Sequence, residues 1–288
     1  MRALVLACVA LLACVAPLAA PPVAAAASAE VAALQVALRA RGHYAGPVDG
    51  LHGPGTAAAI RAAQRRAGIG VDGIAGPLTR RALGRLGRPP YGSRVLRAPA
   101  VGWDVSMLQF LLAFRGFPSG PFDGVLGART TGAIVRFQAS RGLVRDGIAG
   151  PATQAAARSA ARRVPIPLRR PMPYRATDRF GPRGGRFHTG LDFPAPAGTP
   201  VRAAAYGCVK YAGNAGDGYG IVVTLGHGSG LTTAYAHLSR AAVRPGACVG
   251  TGAVIGYVGS TGYSTGPHLH FEARINGAAV DPAPALVG

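Results

Sequence analysis

Acidic residues are scarce in this 288-residue chain: 11 Asp and Glu stand against 31 Lys and Arg, and Lys210 is the only lysine. The resulting net charge of +20 is carried almost wholly by arginine and favours a polyanionic partner. Aromatics are sparse too, at 7% of residues with a single Trp, and they are scattered. The basic-plus-aromatic stretches that clamp and stack nucleic-acid bases are therefore missing. An anionic cell wall fits the charge equally well, and the N-terminus separates the two.

Arg2 supplies a short positive region, Ala3 to Ala16 is an apolar run, and Ala25-Ala26-Ala27 or Ala27-Ser28-Ala29 provides a small-residue cleavage site. Residues 1–29 read as a signal peptide. An uncleaved anchor would need about 20 apolar residues in one helix, which Pro17, Pro21 and Pro22 interrupt. Leu11-Leu12-Ala13-Cys14 loosely resembles a lipobox, but the residues after Cys14 continue the apolar signal instead of a polar tether. Cysteine is scarce as well. Cys8 and Cys14 leave with the signal, so an exported chain keeps the even pair Cys208 and Cys248, expected to form one disulfide. Closing that loop should stabilise its domain by about 3 to 5 kcal/mol.

The mature chain contains a repeat. A shift of 74 residues lays Val31-to-Leu83 over Val105-to-Ala157 without a gap. Leu34 meets Leu108, Gln35 meets Gln109, Asp49-Gly50 meets Asp123-Gly124, Gln64 meets Gln138, and Asp72-Gly73-Ile74-Ala75-Gly76-Pro77 meets Asp146-Gly147-Ile148-Ala149-Gly150-Pro151. Each copy reads as three short helices. Val31, Leu34 and Leu38 share one face of the first, which Gly42 ends, as Gly116 does in the second copy. The Asp-Gly pair makes a turn. Thr56 or Thr130 is expected to cap the second helix, and Pro77 or Pro151 to open the third. This pattern resembles the peptidoglycan-binding helical domain found beside wall hydrolases, and the resemblance implies an anchor to the wall. Taken singly, most of these Gly, Asp and Pro residues are explained by turn and cap chemistry alone.

The boundaries follow: a repeat over 30–88, a linker over 89–103, a second repeat over 104–160, a Pro/Arg-rich linker over 161–173 and a final domain over 174–288. The linkers, with Pro89, Pro90 and Pro99 in one and Pro165, Pro167 and Pro171 in the other, are expected to be extended tethers. Beyond them, alternating apolar runs such as Gly220-to-Leu225, Leu231-to-Tyr235 and Val254-to-Val258 between Gly-rich turns predict an antiparallel β domain. The fold class is thus multidomain: two three-helix α domains and an all-β domain.

The chemistry concentrates in this last domain. His188 and Asp192 lie four apart, and His268-Leu269-His270 follows much later. Residues two apart on a strand share a face, so both histidines point into one groove while Leu269 and Phe271 turn to the core. Two imidazoles and a carboxylate suit Zn²⁺ with one position open for water, and His237 adds a further imidazole.

Phe187-His188-Thr189-Gly190-Leu191-Asp192-Phe193, Ala195-to-Val201, Tyr235-Ala236-His237-Leu238-Ser239 and Gly266-Pro267-His268-Leu269-His270-Phe271-Glu272 stand in order along residues 175 to 283. In these motifs the chain resembles the lysostaphin-type zinc endopeptidases. The resemblance implies one zinc held by His188, Asp192 and His270, with His237 and His268 as a non-ligand catalytic pair whose division of labour stays open. It also implies a secreted peptidoglycan hydrolase, acting as a monomer on peptidoglycan and anionic wall polymers, without nucleic acid and without stable membrane insertion once the signal is cleaved. Some family members carry a tyrosine just before the first ligand, and Phe180 to Phe187 contains none. His227 between glycines reads as a turn residue, His43 and His52 as surface positions, and Glu272 as either a support behind the metal site or a solvated edge residue. Two other classes remain: a metal-free activator of another hydrolase, and an adhesive wall-binding protein.

Overall fold

A computed structural model describes residues 27–288. The signal-peptide reading, with Cys8 and Cys14, falls on residues outside those described, apart from 27–29. Among the described residues no helix is long and apolar enough to cross a membrane.

Each repeat folds as three helices: α1 (Ala29–Ala40), α2 (Pro54–Ala67) and α3 (Pro77–Ala82), then α4 (Trp103–Phe114), α5 (Ala128–Ser140) and α6 (Pro151–Arg158). Ser28 caps α1 by accepting the Val31 N–H. Gly42 and Gly116 end α1 and α4 at φ +74° and +87°, letting the next amide reach back to Leu38 or Leu112. Pro77 and Pro151 open the third helices as expected. The second helices begin earlier than expected, because Gly53 and Gly127, not Thr56 and Thr130, hold their N-cap positions.

The threonines are turned inward to a different task. Gln109 accepts the N–H groups of Asp123 (3.2 Å) and Gly124 (2.9 Å), and its amide nitrogen lies 2.8 Å from Asp123 Oδ1, 3.1 Å from the Val125 carbonyl and 3.1 Å from Thr130 Oγ1. Gln35 does the same for Asp49, Gly50, Leu51 and Thr56. Gln64 with Asp72, Gly73 and Thr79, and Gln138 with Asp146, Gly147 and Thr153, repeat the arrangement at the third helices. Each Asp-Gly turn is thus closed by a buried glutamine that satisfies the turn's polar groups. The underlying signal, Asp-Gly-x-x-Gly-(Pro or Ala)-x-Thr, occurs four times, at 49–56, 72–79, 123–130 and 146–153.

The two repeats share one core. Leu34, Leu38 and Ile60 join Leu108, Leu112, Ile134 and Phe137 in a single apolar cluster. The segment between them is no tether. Leu96 is fully buried and exchanges backbone hydrogen bonds with Ala149, Tyr91 packs in the same core, and Arg94 pairs with buried Asp104 at 2.7 Å. The second linker departs from an extended tether as well, since Leu168 and Met172 are buried in the core of the following domain. Proline content predicted extension; the leucine, methionine and tyrosine beside those prolines supplied apolar surface that burial stabilises.

The final domain has strands β1 (Leu168–Arg169), β2 (Gly181–Arg183), β3 (Arg186–His188), β4 (Leu191–Pro194), β5 (Pro200–Arg202), β6 (Gly207–Asn214), β7 (Ile221–Gly226), β8 (Leu231–Ala241), β9 (Cys248–Val249), β10 (Val254–Val258), β11 (His268–Ile275), β12 (Ala278–Val280) and β13 (Leu286–Val287). The main sheet runs β12-β11-β8-β7-β6-β9, with β4 joined to β11 and β5 and β10 carried beside β8, and every pair in it is antiparallel. Cys208 and Cys248 face each other across β6 and β9 and are bonded.

The helical body is docked on this sheet. The Phe122 N–H donates to the Gly185 carbonyl at the tip of the β2–β3 hairpin, and Phe114 meets Phe187 edge-on at 5.0 Å. Ala278 of β12 is part of the helical core, and Gly116 lies against the Ala278–Ala279 backbone.

Candidate metal centre

Register brings the site together. On β11, Leu269 and Phe271 are fully buried, so His268, His270 and Glu272 share the opposite face. Pairing of β11 with β4 sets His270 directly opposite Asp192. His188 comes from the end of β3, which the contacts at Gly185 and Phe187 hold against the helical body.

His188 Nε2, Asp192 Oδ1 and His270 Nδ1 converge at 3.1, 3.1 and 2.8 Å from one another. Their outer contacts decide what those atoms are. His188 Nδ1 lies 2.9 Å from the Arg179 carbonyl, and His270 Nε2 lies 2.9 Å from Glu272 Oε1. In the neutral imidazoles these outer acceptors take the ring hydrogen, which leaves each near nitrogen's lone pair for a cation in the cluster. Two lone pairs and a carboxylate oxygen so placed form a set that could hold a cation. Donors on a tetrahedral Zn²⁺ are about 3.3 Å apart, close to what is seen.

The charges agree. Burial would raise the Asp192 carboxyl, but hydrogen bonds from His188 and His270 hold it far below the usual range. Burial would lower the His270 imidazole, yet the Asp192 and Glu272 carboxylates on its two sides raise it to about 9. Glu272 is fully buried, and although burial opposes its charge, His270 and Arg274 hold it at about 2. Of the two sequence readings of Glu272, the support behind the site is therefore the one the structure has. Thr189 and Tyr219 also donate to its Oε1.

His237 arrives by an irregularity. The register between β7 and β8 slips between Ile221↔Leu238 and Val223↔Tyr235, and His237 adopts φ +60°. On a regular strand it would share the core-facing side of Tyr235; the bulge re-aims it into the cleft. Its ring lies 4.7 Å from that of His268 and 5.9 Å from that of His270. The His237 Nδ1 is 2.8 Å from the Thr261 carbonyl, and burial holds this imidazole below the usual histidine range. His268 Nδ1 is 2.8 Å from the Gly266 carbonyl, and its Nε2 is 3.9 Å from Asp192 Oδ1.

All five sequence-predicted residues therefore line one cleft of 350 Å³. Sequence reasoning did not find Arg183, Tyr219 and Tyr263, which complete its walls. Arg183 reaches Asp192 Oδ2 at 3.3 Å, and no motif marks it. The Tyr219 hydroxyl is tied to Glu272 and Arg274. His227 lies apart, in its turn, between the Tyr206 carbonyl and Thr233. His43 is half-buried and His52 exposed, both away from the cleft.

A sheet-borne His-Asp-His cluster with two more imidazoles beside it defines a metallopeptidase-type site. The family description "Peptidase family M23" matches residues 186–282, and "Putative peptidoglycan binding domain" matches 27–83 and 102–157. The C-terminal domain of this chain belongs to peptidase family M23, of lysostaphin type, and its helical repeats to the peptidoglycan-binding domain family. The DD-carboxypeptidase/endopeptidase Mpg of Neisseria gonorrhoeae is 57% identical over 97 residues, 34% of this chain and 22% of that protein. Lysostaphin of Staphylococcus simulans is 42% identical over 107 residues, 35% of this chain and 22% of that protein. The chain thus spans about a fifth of the length of these relatives. The solved catalytic domain of lysostaphin from Staphylococcus simulans is 40% identical, covers 38% of this chain and 90% of that one, and superposes with a TM-score of 0.36.

Proposed function

We propose that this protein is a secreted zinc endopeptidase that hydrolyses peptide bonds in the stem peptide or cross-bridge of bacterial peptidoglycan, held on its substrate by the helical repeats. The observation that carries this reading is the outward tethering of His188 Nδ1 and His270 Nε2, which aims the other ring nitrogens and the Asp192 carboxylate at one point. Zinc bound there, one ion per chain, would acidify a water molecule and polarise the scissile carbonyl.

The chain's own residues supply the rest. His237, neutral at pH 7 because burial lowers it, keeps its Nδ1 on the Thr261 carbonyl and offers Nε2 as the base that takes the proton of the attacking water. His268, fixed by the Gly266 carbonyl, donates to the oxyanion or the leaving amine when it carries a proton. Glu272 fixes the tautomer and ring orientation of His270. Export fits the structure best if the signal is cut after Ala27, since that cut keeps Ser28 as the cap of α1 whereas a cut after Ala29 removes it.

Two measurements on the purified protein test the reading. One zinc per chain is expected by elemental analysis; a chain that lyses walls with no stoichiometric metal would sink it. Mass analysis of fragments released from purified walls should show new amino and carboxyl termini within the peptide moiety. Fragments broken only in the glycan would overturn the assignment.

A further inference from the structure

The metal cleft opens into a second groove, and the carboxylate at their junction has no cationic partner. That groove, of 400 Å³, runs over the face of β7, β8 and β11 past Val222 and Ala234 and meets the cleft at Asp217 and Tyr219, which line both. The other two carboxylates of these walls are occupied: Asp192 by His188, His270 and Arg183, and Glu272 by His270 and Arg274. Asp217 is exposed, and among the described residues no Lys, Arg or His comes within ion-pair range of it. In a chain of net charge +20, a free acid at the meeting of two cavities is a local reversal of sign.

The β6–β7 hairpin presents this carboxylate on a fixed tip. The Ala215 N–H donates to the Gly220 carbonyl at 3.0 Å, and the Gly218 carbonyl accepts the Tyr263 N–H at 2.8 Å from the loop that follows β10. Asn214 and Asp217 each accept an amide two residues on, Gly216 at 3.2 Å and Tyr219 at 3.3 Å. Asn214 does this without a charge, so the turn does not require one at Asp217. Gly218, at φ +100°, lets the Tyr263 ring lie against it, where a Cβ would stand 2.6 Å from the ring. Tyr263 is 90% exposed and lines the metal cleft together with Asp217. A carboxylate beside an exposed phenol ring takes an ammonium group, by charge and by cation–π attraction. We propose that Asp217 and Tyr263 form a subsite for a free ammonium group of the peptide substrate, beside the bond presented to the metal centre, so that the protein prefers stem peptides whose amine is unacylated. Cross-linking acylates such amines, so the preferred stems are those not yet cross-linked. The proposal rests on the peptidase reading above and adds a substrate class to it.

The test compares soluble stem-type peptides in matched pairs, one pair with the side-chain amine free or acetylated and the other with the α-amine free or acetylated, cut by the full chain loaded with zinc. In the pair whose amine reaches the subsite, the free version should be cut about fivefold to tenfold better in kcat/KM, the difference lying in KM. This ratio is a property of folded molecules alone, so a variant that folds poorly still reports it. Asp217→Asn keeps the acceptor for the Tyr219 N–H and removes only the charge. Its ratio should fall to about one, and that of Asp217→Arg below one. Tyr263→Leu should lower the ratio and Tyr263→Phe should restore it, because phenylalanine keeps the ring. Added salt should draw the parent's ratio toward that of Asp217→Asn. Where soluble peptides are cut too slowly to compare, the same ratio is read on purified walls with and without acetylation of their free amines. Equal rates within both pairs, or a preference that survives Asp217→Asn, overturns the subsite and leaves the peptidase standing. A zinc-loaded chain that opens no peptide bond in peptides or walls removes the peptidase reading, and this proposal with it.

Discussion

The helical body and the β domain both bury polar side chains, and they do so in opposite ways. Gln35, Gln64, Gln109 and Gln138 are each almost fully enclosed, and each has its oxygen and its nitrogen met by the turn it closes. His188 and His270 are buried and Asp192 half-buried, and their inner atoms turn toward one another and a common point instead of toward the backbone around them. A buried polar group that is satisfied holds a fold together, and a set that is aimed at a common point without satisfaction waits for a ligand. The comparison separates structural residues from functional ones inside a chain where both sorts recur in tidy motifs.

The sharpest way to break the comparison is to remove an unsatisfied member. His270→Ala should abolish stoichiometric zinc and lower wall lysis by about four powers of ten or more, since a ligand and the water it helps activate go together. Normal zinc with normal lysis would show that the convergent atoms are not the metal site. His268→Ala should keep zinc and lose about a thousandfold in turnover, because proton transfer and oxyanion support go while the coordination set stays. A zinc-free His268→Ala protein would interchange the two histidines of the pair.

Glu272→Gln tests whether the outer shell belongs to the functional or the structural class. It keeps the shape but weakens the acceptor on His270 Nε2 and leaves Arg274 less well paired. Zinc affinity should fall about 10- to 100-fold, read by competition with a chromogenic chelator. An unchanged affinity would make Glu272 a buried ion-pair residue only. Phe187→Ala, which loosens the hairpin carrying His188 from Phe114, should lower turnover of a small soluble peptide several-fold, with zinc retained. Equal turnover would mean that the docked helical body does nothing for the site. Gln109→Leu should have the smallest effect on chemistry and a clear one on folding: about 2 to 4 kcal/mol of stability lost, because the turn amides of Asp123 and Gly124 stay buried without an acceptor. Its activity per folded molecule should match the parent.

Much of this was legible in the residues. The period-two pattern of His268-Leu269-His270-Phe271 placed two imidazoles on one face and the core on the other because a strand leaves no alternative. The first helices of both repeats ended where Gly42 and Gly116 allow a left-handed residue, and Pro77 and Pro151 started the third ones, since these are constraints of single residues and their immediate neighbours. Thr56 and Thr130 were misplaced as caps for the converse reason: a threonine hydroxyl serves a cap and a buried network equally well, and only the distant Gln35 and Gln109 select between them.

What tertiary structure decided has the same physical character throughout. Composition marked residues 89–103 and 161–173 as tethers, but Leu96, Tyr91, Leu168 and Met172 found cores to enter, and burial of apolar surface outweighed the extended preference of the prolines. Strand alternation would have put His237 beside Tyr235 in the core; a bulge and a left-handed backbone turned it into the cleft. Gly42 and Gly116 stand at matched positions and read alike in the sequence; packing alone shows that the peptidase domain covers the second and leaves the first open. Local rules act through one residue's own backbone and the neighbours it must touch. The rest depends on contacts between segments far apart in the chain, which exist only once the chain has closed on itself.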